Sequence, residues 1–264
     1  MHCFSVVTGM TTKILLVAIA TLMPATLLAA QTTVTAKDSA DQQIHEWLKA
    51  RAARALAQHN AETARGSAGQ KGRLRILSLA DMDAPAAITS SVLAGIDERR
   101  KGPLRVPAGA IPSTTDVVGG LTATRRNSAE LQQRPGPALA DVSRTPLAAA
   151  ERVHTEPSGS TNGGTWTGVS RTYRLPQVGV IILSEDDYHA SGTELTVIRE
   201  TLNEDVNGVP AIAYSARSED GRGKADIRWV TAQRAYVLTL LTDDGSRIEQ
   251  GQALLLQIAR GIQP

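Results

Sequence analysis

The chain has 264 residues, a net charge of +2, 42% hydrophobic residues and only 3% aromatic ones. That is long enough to bury a substantial core, and too evenly charged to suggest nucleic acid or a strongly anionic surface as partner. Cys3 is the only cysteine, so a disulfide framework, a cysteine zinc cluster and a thiol nucleophile are excluded from any mature chain that lacks it.

The first 30 residues read as a secretory signal. Lys13 precedes the apolar run Ile14–Met23, followed by Pro24 and a small-residue end at Ala29-Ala30, the order of a cleavable export segment. The run is too short to span a bilayer comfortably. Cleavage near Ala30 is expected, with retention as the alternative because Leu28 fits loosely three residues before the cut. Met10-Thr-Thr-Lys is a more ordinary start than Met1, and either the later start or cleavage removes Cys3. A periplasmic or secreted protein follows, touching the membrane only through an uncleaved signal.

Residues 31–124 read as a helical and irregular region. Ile44, Trp47, Leu48, Ala52, Ala55 and Leu56 recur at helical spacing within 39–66. His45-Glu46 begins a zinc-helix motif, but Lys49 stands where the second histidine is required. The stretch Arg73–Ala80 predicts a short strand. Ile88, Val92, Leu93 and Ile96 predict a helix whose cationic end, Arg99-Arg100-Lys101, is stopped by Gly102. Residues 125–165, rich in Pro, Gly, Ser and Thr and free of aromatics, read as a flexible linker.

From Trp166 the pattern changes. Ten Lys and Arg face thirteen Asp and Glu in this part, a charge near −3, leaving near +5 for the rest. All four tyrosines lie here, and β-branched and aromatic runs alternate with polar breaks. Asn207-Gly208 predicts a hairpin turn with positive φ at both residues. Ser218–Lys224 predicts the next reversal, with Gly221 and Gly223 supplying the unusual dihedrals. Ile227 and Trp229 fall on one strand face, Asp226 and Arg228 on the other. Ser246 and Glu249 have the spacing of a capping box, and Ile248, Leu254, Leu255, Ile258 and Ile262 continue at helical period. The fold class expected for 166–264 is α+β: an antiparallel meander of five or six strands covered by a C-terminal helix.

Catalytic signatures for an esterase elbow, a phosphate loop or a dinucleotide site do not occur in the sequence. One polar cluster has chemical content: Glu185, Asp187 and His189, near the end of a buried run, are of types that bind a divalent cation or set an acid beside an imidazole. The competing reading makes them a solvated loop. Arg217 and Arg228, with Trp229 and Tyr236, form the candidate partner or ligand contact, against cross-strand ion pairing for the arginines and core packing for the aromatics.

The turn Asn207-Gly208, Trp229 and Tyr236 on successive strands, and Ile258 and Ile262 in the last helix resemble small exported bacterial domains of the PsbP-like and lipoprotein-carrier-like kinds. The resemblance covers about the last hundred residues. It implies a helix-covered sheet, a non-enzymatic role without cofactor, and a lipid group or protein as partner. The expected function is a non-catalytic envelope binding or adaptor protein taking a protein partner or apolar ligand. The alternatives are an inhibitor or immunity-type protein acting through the Ser218–Lys224 hairpin, and a metal-dependent hydrolase using Glu185, Asp187 and His189.

Overall fold

The computed structural model describes residues 34–64, 71–121, 131, 133, 134 and 136–263. The export segment, both candidate start sites and residues 125–130, 132 and 135 of the expected linker lie outside them.

Three helices and two short strands come first: α1 (Val34–Ala64), β1 (Arg73–Leu77), α2 (Ala86–Arg100), β2 (Leu104–Val106) and α3 (Thr114–Leu121). The strands β3 (Glu151–Asn162), β4 (Thr165–Leu175) and β5 (Gly179–Asp186) follow, then the single helical turn α4 (Tyr188–Ser191) and β6 (Glu194–Ile198). The chain ends with β7 (Glu204–Val206), β8 (Val209–Ser218), β9 (Gly223–Val230), β10 (Ala235–Thr242) and α5 (Ile248–Gly261).

The main sheet has eight strands in the order β2-β8-β9-β10-β5-β4-β3, with β7 also paired to β8. It is mostly antiparallel and open, and its centre is two three-strand meanders joined where β5 lies beside β10, with β2 and β7 added along β8. The α+β class with a C-terminal helix therefore holds, but the sheet is larger than five or six strands. Two of its strands come from outside the aromatic-rich tail. β2 pairs parallel with β8, and β3 forms the far edge along β4.

The second of these overturns the flexible reading of residues 151–162. An edge strand is held by ladder hydrogen bonds along one side and needs no aromatic residue. Pro157 is tolerated there because an edge position does not require its missing N–H. Register shifts between Arg152 and His154 and between Ser158 and Thr161 twist this edge away from further pairing. Residues 136–150 are also docked, with Ala140 and Leu147 in the main core and Asp141 bridged to Gln263.

β6, expected within the meander, leaves it and pairs in parallel with β1. Beside that pair a small cluster of Leu79, Met82 and Ile198 collects Trp47 and Val92. Trp47 also donates from its indole to the carbonyl of Asp83 (2.9 Å). This is how α1, whose Leu48 and Leu56 remain exposed, is attached.

The main core lies between α5 and one sheet face. Ladder register puts Ala211 and Ala213 of β8, Ala225, Ile227 and Trp229 of β9, Tyr236, Leu238 and Leu240 of β10, and Ile181 and Leu183 of β5 on that face, and Ile248, Leu255 and Ile258 close it. Asn207 (φ 54°) and Gly208 (φ 85°) form the expected hairpin turn. Gly223 serves a different purpose from the one expected: it has no positive φ, and an added Cβ would lie 2.9 Å from the Cα of Gly245. Its small size lets the β9 end meet the turn before α5. The capping box does not form either. Asp244 accepts the backbone N–H of Ser246 (2.9 Å), capping the short turn that leads into the helix.

Candidate functional site: the sheet–helix groove

The structure separates the three residues of the expected metal cluster. Alternation along β5 turns Glu185 toward the helix-covered face, where it is 1% exposed and pairs with Arg171 of β4 at 2.6 Å. Its other carboxylate oxygen accepts the backbone N–H of Ala140 at 2.8 Å, with Arg234 at 3.7 Å. Asp187 caps α4 by accepting the N–H of Ala190 (2.7 Å). His189 is half-buried in that turn, and its backbone carbonyl takes the N–H of Gly72 (2.8 Å). Among the described residues, no group of three or more His, Cys, Asp or Glu is placed to hold a metal ion.

Between Glu185 and Asp187, Asp186 carries a different signal. Burial raises its carboxyl above the ordinary value, opposed by a hydrogen bond from Thr167 and helped by the charge of Asp187. A carboxyl raised in the folded state favours the protonated form, so its contribution to stability is present at low pH and is lost as pH rises through the folded value. We expect the wild-type chain to lose stability relative to Asp186→Asn as pH climbs from about 4. Denaturant midpoints measured for both from about pH 3.5 to 7 check this, and a difference that does not vary with pH contradicts it.

Trp229 and Tyr236, 4% and 1% exposed, are stacked on each other in the main core with ring centroids 4.8 Å apart. They back the site and do not line it. Arg217 donates to the carbonyl of Ser246 (3.2 Å), tying the β8–β9 hairpin to the start of α5. The Ser218–Lys224 hairpin is also held down, by Arg222 to the Ile111 carbonyl (3.1 Å) and by the N–H of Glu219 to the Val106 carbonyl (3.1 Å).

Arg228 belongs to the opposite sheet face, which is less solvated than its alternation suggests. Asp226 is 1% exposed there, taking the hydroxyl of Thr239 and pairing with Lys224 at 3.0 Å. Beside it, Arg228 donates to the phenol of Tyr214 (3.0 Å), and the guanidinium groups of Arg228 and Arg99 lie 5.7 and 5.2 Å from the Tyr214 ring centroid. Burial, then the charge of Asp226, pushes the phenol up to about 12, so Tyr214 is neutral across the physiological range.

Tyr214 leads to the one place where the edge of β8 is open. β7 covers Val209–Ala211 and β2 covers Ala216–Ser218, so the intervening residues have no strand partner on that side among the described residues. Asn203 fills part of the gap: its carboxamide accepts the N–H of Ala213 (2.8 Å) and donates to the carbonyl of the same residue (2.9 Å), as a neighbouring strand would. Asn203→Ala is expected to cost about 1–3 kcal/mol, because both Ala213 groups lose their partner. Thermal unfolding measures it, and an unchanged midpoint counts against the pseudo-strand role.

Over the remaining gap lies a cavity of about 310 Å³ between α5 and the sheet edge. Glu249, Gln252, Ala253 and Leu256 of α5 form one wall, Arg99 and Arg100 at the end of α2 form another, and Tyr214, Ser215 and Glu204 lie on the sheet side. A larger cavity, about 370 Å³, lies at the β4–β5 turn near Thr114. Its charged groups are already engaged: Asp243 takes the N–H and hydroxyl of Thr114, and Arg174 pairs with Glu151 at 3.5 Å. The groove differs, because Arg99, Glu204 and Glu249 have no ion-pair partner among the described residues. Sequence reading missed it, because α2, β7, β8 and α5 are far apart in the chain, with 157 positions between Arg99 and Leu256. The only local signal was the cationic end of α2.

The geometry defines a class, an open antiparallel α+β sheet with a groove between its closing helix and one edge. The chain matches no protein-family model, no curated protein and no solved structure.

Proposed function

We propose that this chain is a non-catalytic binding or adaptor protein of the cell envelope that works by contact through the sheet–helix groove. The reading is carried by one observation: a preformed cavity of about 310 Å³ between α5 and the β8 edge, lined by Ala253 and Leu256 of α5 and by Arg99, Glu204 and Glu249, which have no ion-pair partner among the described residues. Concave sites with an apolar lining and a few polar groups are the usual form of a binding pocket. The export segment read from the first 30 residues supports an envelope location.

Ala253 is exposed and lines the groove, so Ala253→Trp is expected to fill it while leaving the fold intact. Full-length chain immobilised in envelope extract should retain a ligand or protein that Ala253→Trp, with unchanged unfolding temperature, does not. Equal retention by both would show that the groove is not the contact.

A further inference from the structure

We infer that the outer edge of β1 accepts an extended segment of a protein partner whose side chains alternate apolar and acidic. This surface is separate from the groove, and the inference does not rest on it. β1 and β6 form a parallel pair with no third strand among the described residues. Parallel strands are ordinarily covered on both faces, and a two-stranded sheet is marginal alone. Here one face is closed by the cluster that takes Leu77 and Ile198. The other carries Leu74 and Ile76 in register with Leu195 and Val197, and none of the four packs into a core cluster. Ile76 is 39% exposed.

One hydrogen bond fixes which side of the ladder is open. The N–H of Arg73 reaches the Thr193 carbonyl (3.1 Å), so in this parallel ladder Arg73, Arg75 and Leu77 turn their peptide groups toward β6. Those of Leu74 and Ile76 point away, and no described strand pairs with them. Arg73 and Arg75 lie on the face opposite the apolar one. Arg75 pairs with Glu194 of β6 (3.2 Å), while Arg73 is exposed and has no ion-pair partner among the described residues. Opposite charges on neighbouring strands stabilise a sheet and like charges destabilise it. β6 already shows the pattern that β1 pairs with: Glu194 against the arginines, Leu195 and Val197 on the apolar face. A second copy pairing antiparallel, Leu74 against Ile76, would set Arg75 opposite its own counterpart, so an acidic strand is favoured over self-association. Strand addition takes its affinity from main-chain hydrogen bonds and its specificity from alternate side chains.

Titration calorimetry of the full chain with the capped peptides acetyl-Val-Glu-Val-Glu-Val-amide and acetyl-Val-Lys-Val-Lys-Val-amide tests the inference. The glutamate peptide should bind, and the lysine peptide should bind at least about tenfold more weakly. Methylating the nitrogen of the central valine, which removes a ladder donor, should abolish binding. The bound glutamate peptide should slow hydrogen exchange at Leu74 and Ile76. Arg73→Glu/Arg75→Glu should reverse the preference toward the lysine peptide, and Ile76→Pro, which removes an N–H that β6 does not use, should bind neither. Should a variant fail to fold, the peptides on the wild-type chain decide alone. No binding of the glutamate peptide at millimolar concentration, equal binding of both peptides, or binding that survives methylation overturns the inference. So does dimerisation in sedimentation that Ile76→Pro abolishes, which would assign the edge to a second copy. Ala253→Trp should bind the glutamate peptide as the wild type does, and loss of binding there would place the peptide in the groove and overturn the edge.

Discussion

Arg171→Met is expected to destabilise the fold by about 3–5 kcal/mol, the loss typical of breaking a buried ion pair from one side. Arg171 and Glu185 are 4% and 1% exposed and meet at 2.6 Å. Together they grip one residue of the incoming chain: Glu185 accepts the N–H of Ala140, and Arg171 donates to its carbonyl, both at 2.8 Å. Removing the guanidinium strands a carboxylate in a low-dielectric site, with Arg234 more distant at 3.7 Å, and leaves the Ala140 carbonyl without its donor. The double variant Arg171→Met/Glu185→Met should regain at least half of the loss, because no buried charge is then left alone. Guanidinium unfolding of wild type, both single variants and the double closes the cycle. Hydrogen exchange at Ala140 should accelerate in each variant. A single-variant loss below about 1 kcal/mol would mean that the pair is not what holds residues 136–150 to the sheet.

Trp229→Ala should cost a similar amount, about 3–5 kcal/mol, through lost burial and the cavity it leaves. Its ring is stacked on Tyr236 at 4.8 Å with an interplanar angle of 8°. It sits at the β9–β10 register point where the two residues face each other beneath α5. Trp229→Phe keeps an aromatic partner for Tyr236 and should lose distinctly less. Denaturant midpoints separate the two variants. If Trp229→Ala left stability unchanged and altered only binding, the residue would be a ligand contact and its place in the core would be wrong.

How far the sequence reached can be judged residue by residue. The Asn207-Gly208 turn was legible because it depends on φ at two adjacent residues. The burial of Trp229, Leu238 and Ile258 was legible because strand and helix periods are local patterns. Glu185 was misplaced for the same reason. A run of acidic residues reads as solvated unless a distant arginine is known to lie beside it, and Arg171 is 14 positions away on the neighbouring strand. Residues 151–162 lacked the composition of a strand, since an edge is recruited by its neighbour's open ladder and not by its own side chains.

The amino-acid order alone settled the α+β class, the aromatic core under the last helix, and the turns whose dihedrals only Gly or Asn adopts readily. Those properties follow from short-range sterics and from the period at which apolar residues recur. Tertiary structure alone decided which strands close the sheet, which charges are paired, and where a groove remains. Those are outcomes of contact between segments remote in the chain, where pairing of a charge or a backbone edge is determined by whichever partner the fold brings within reach.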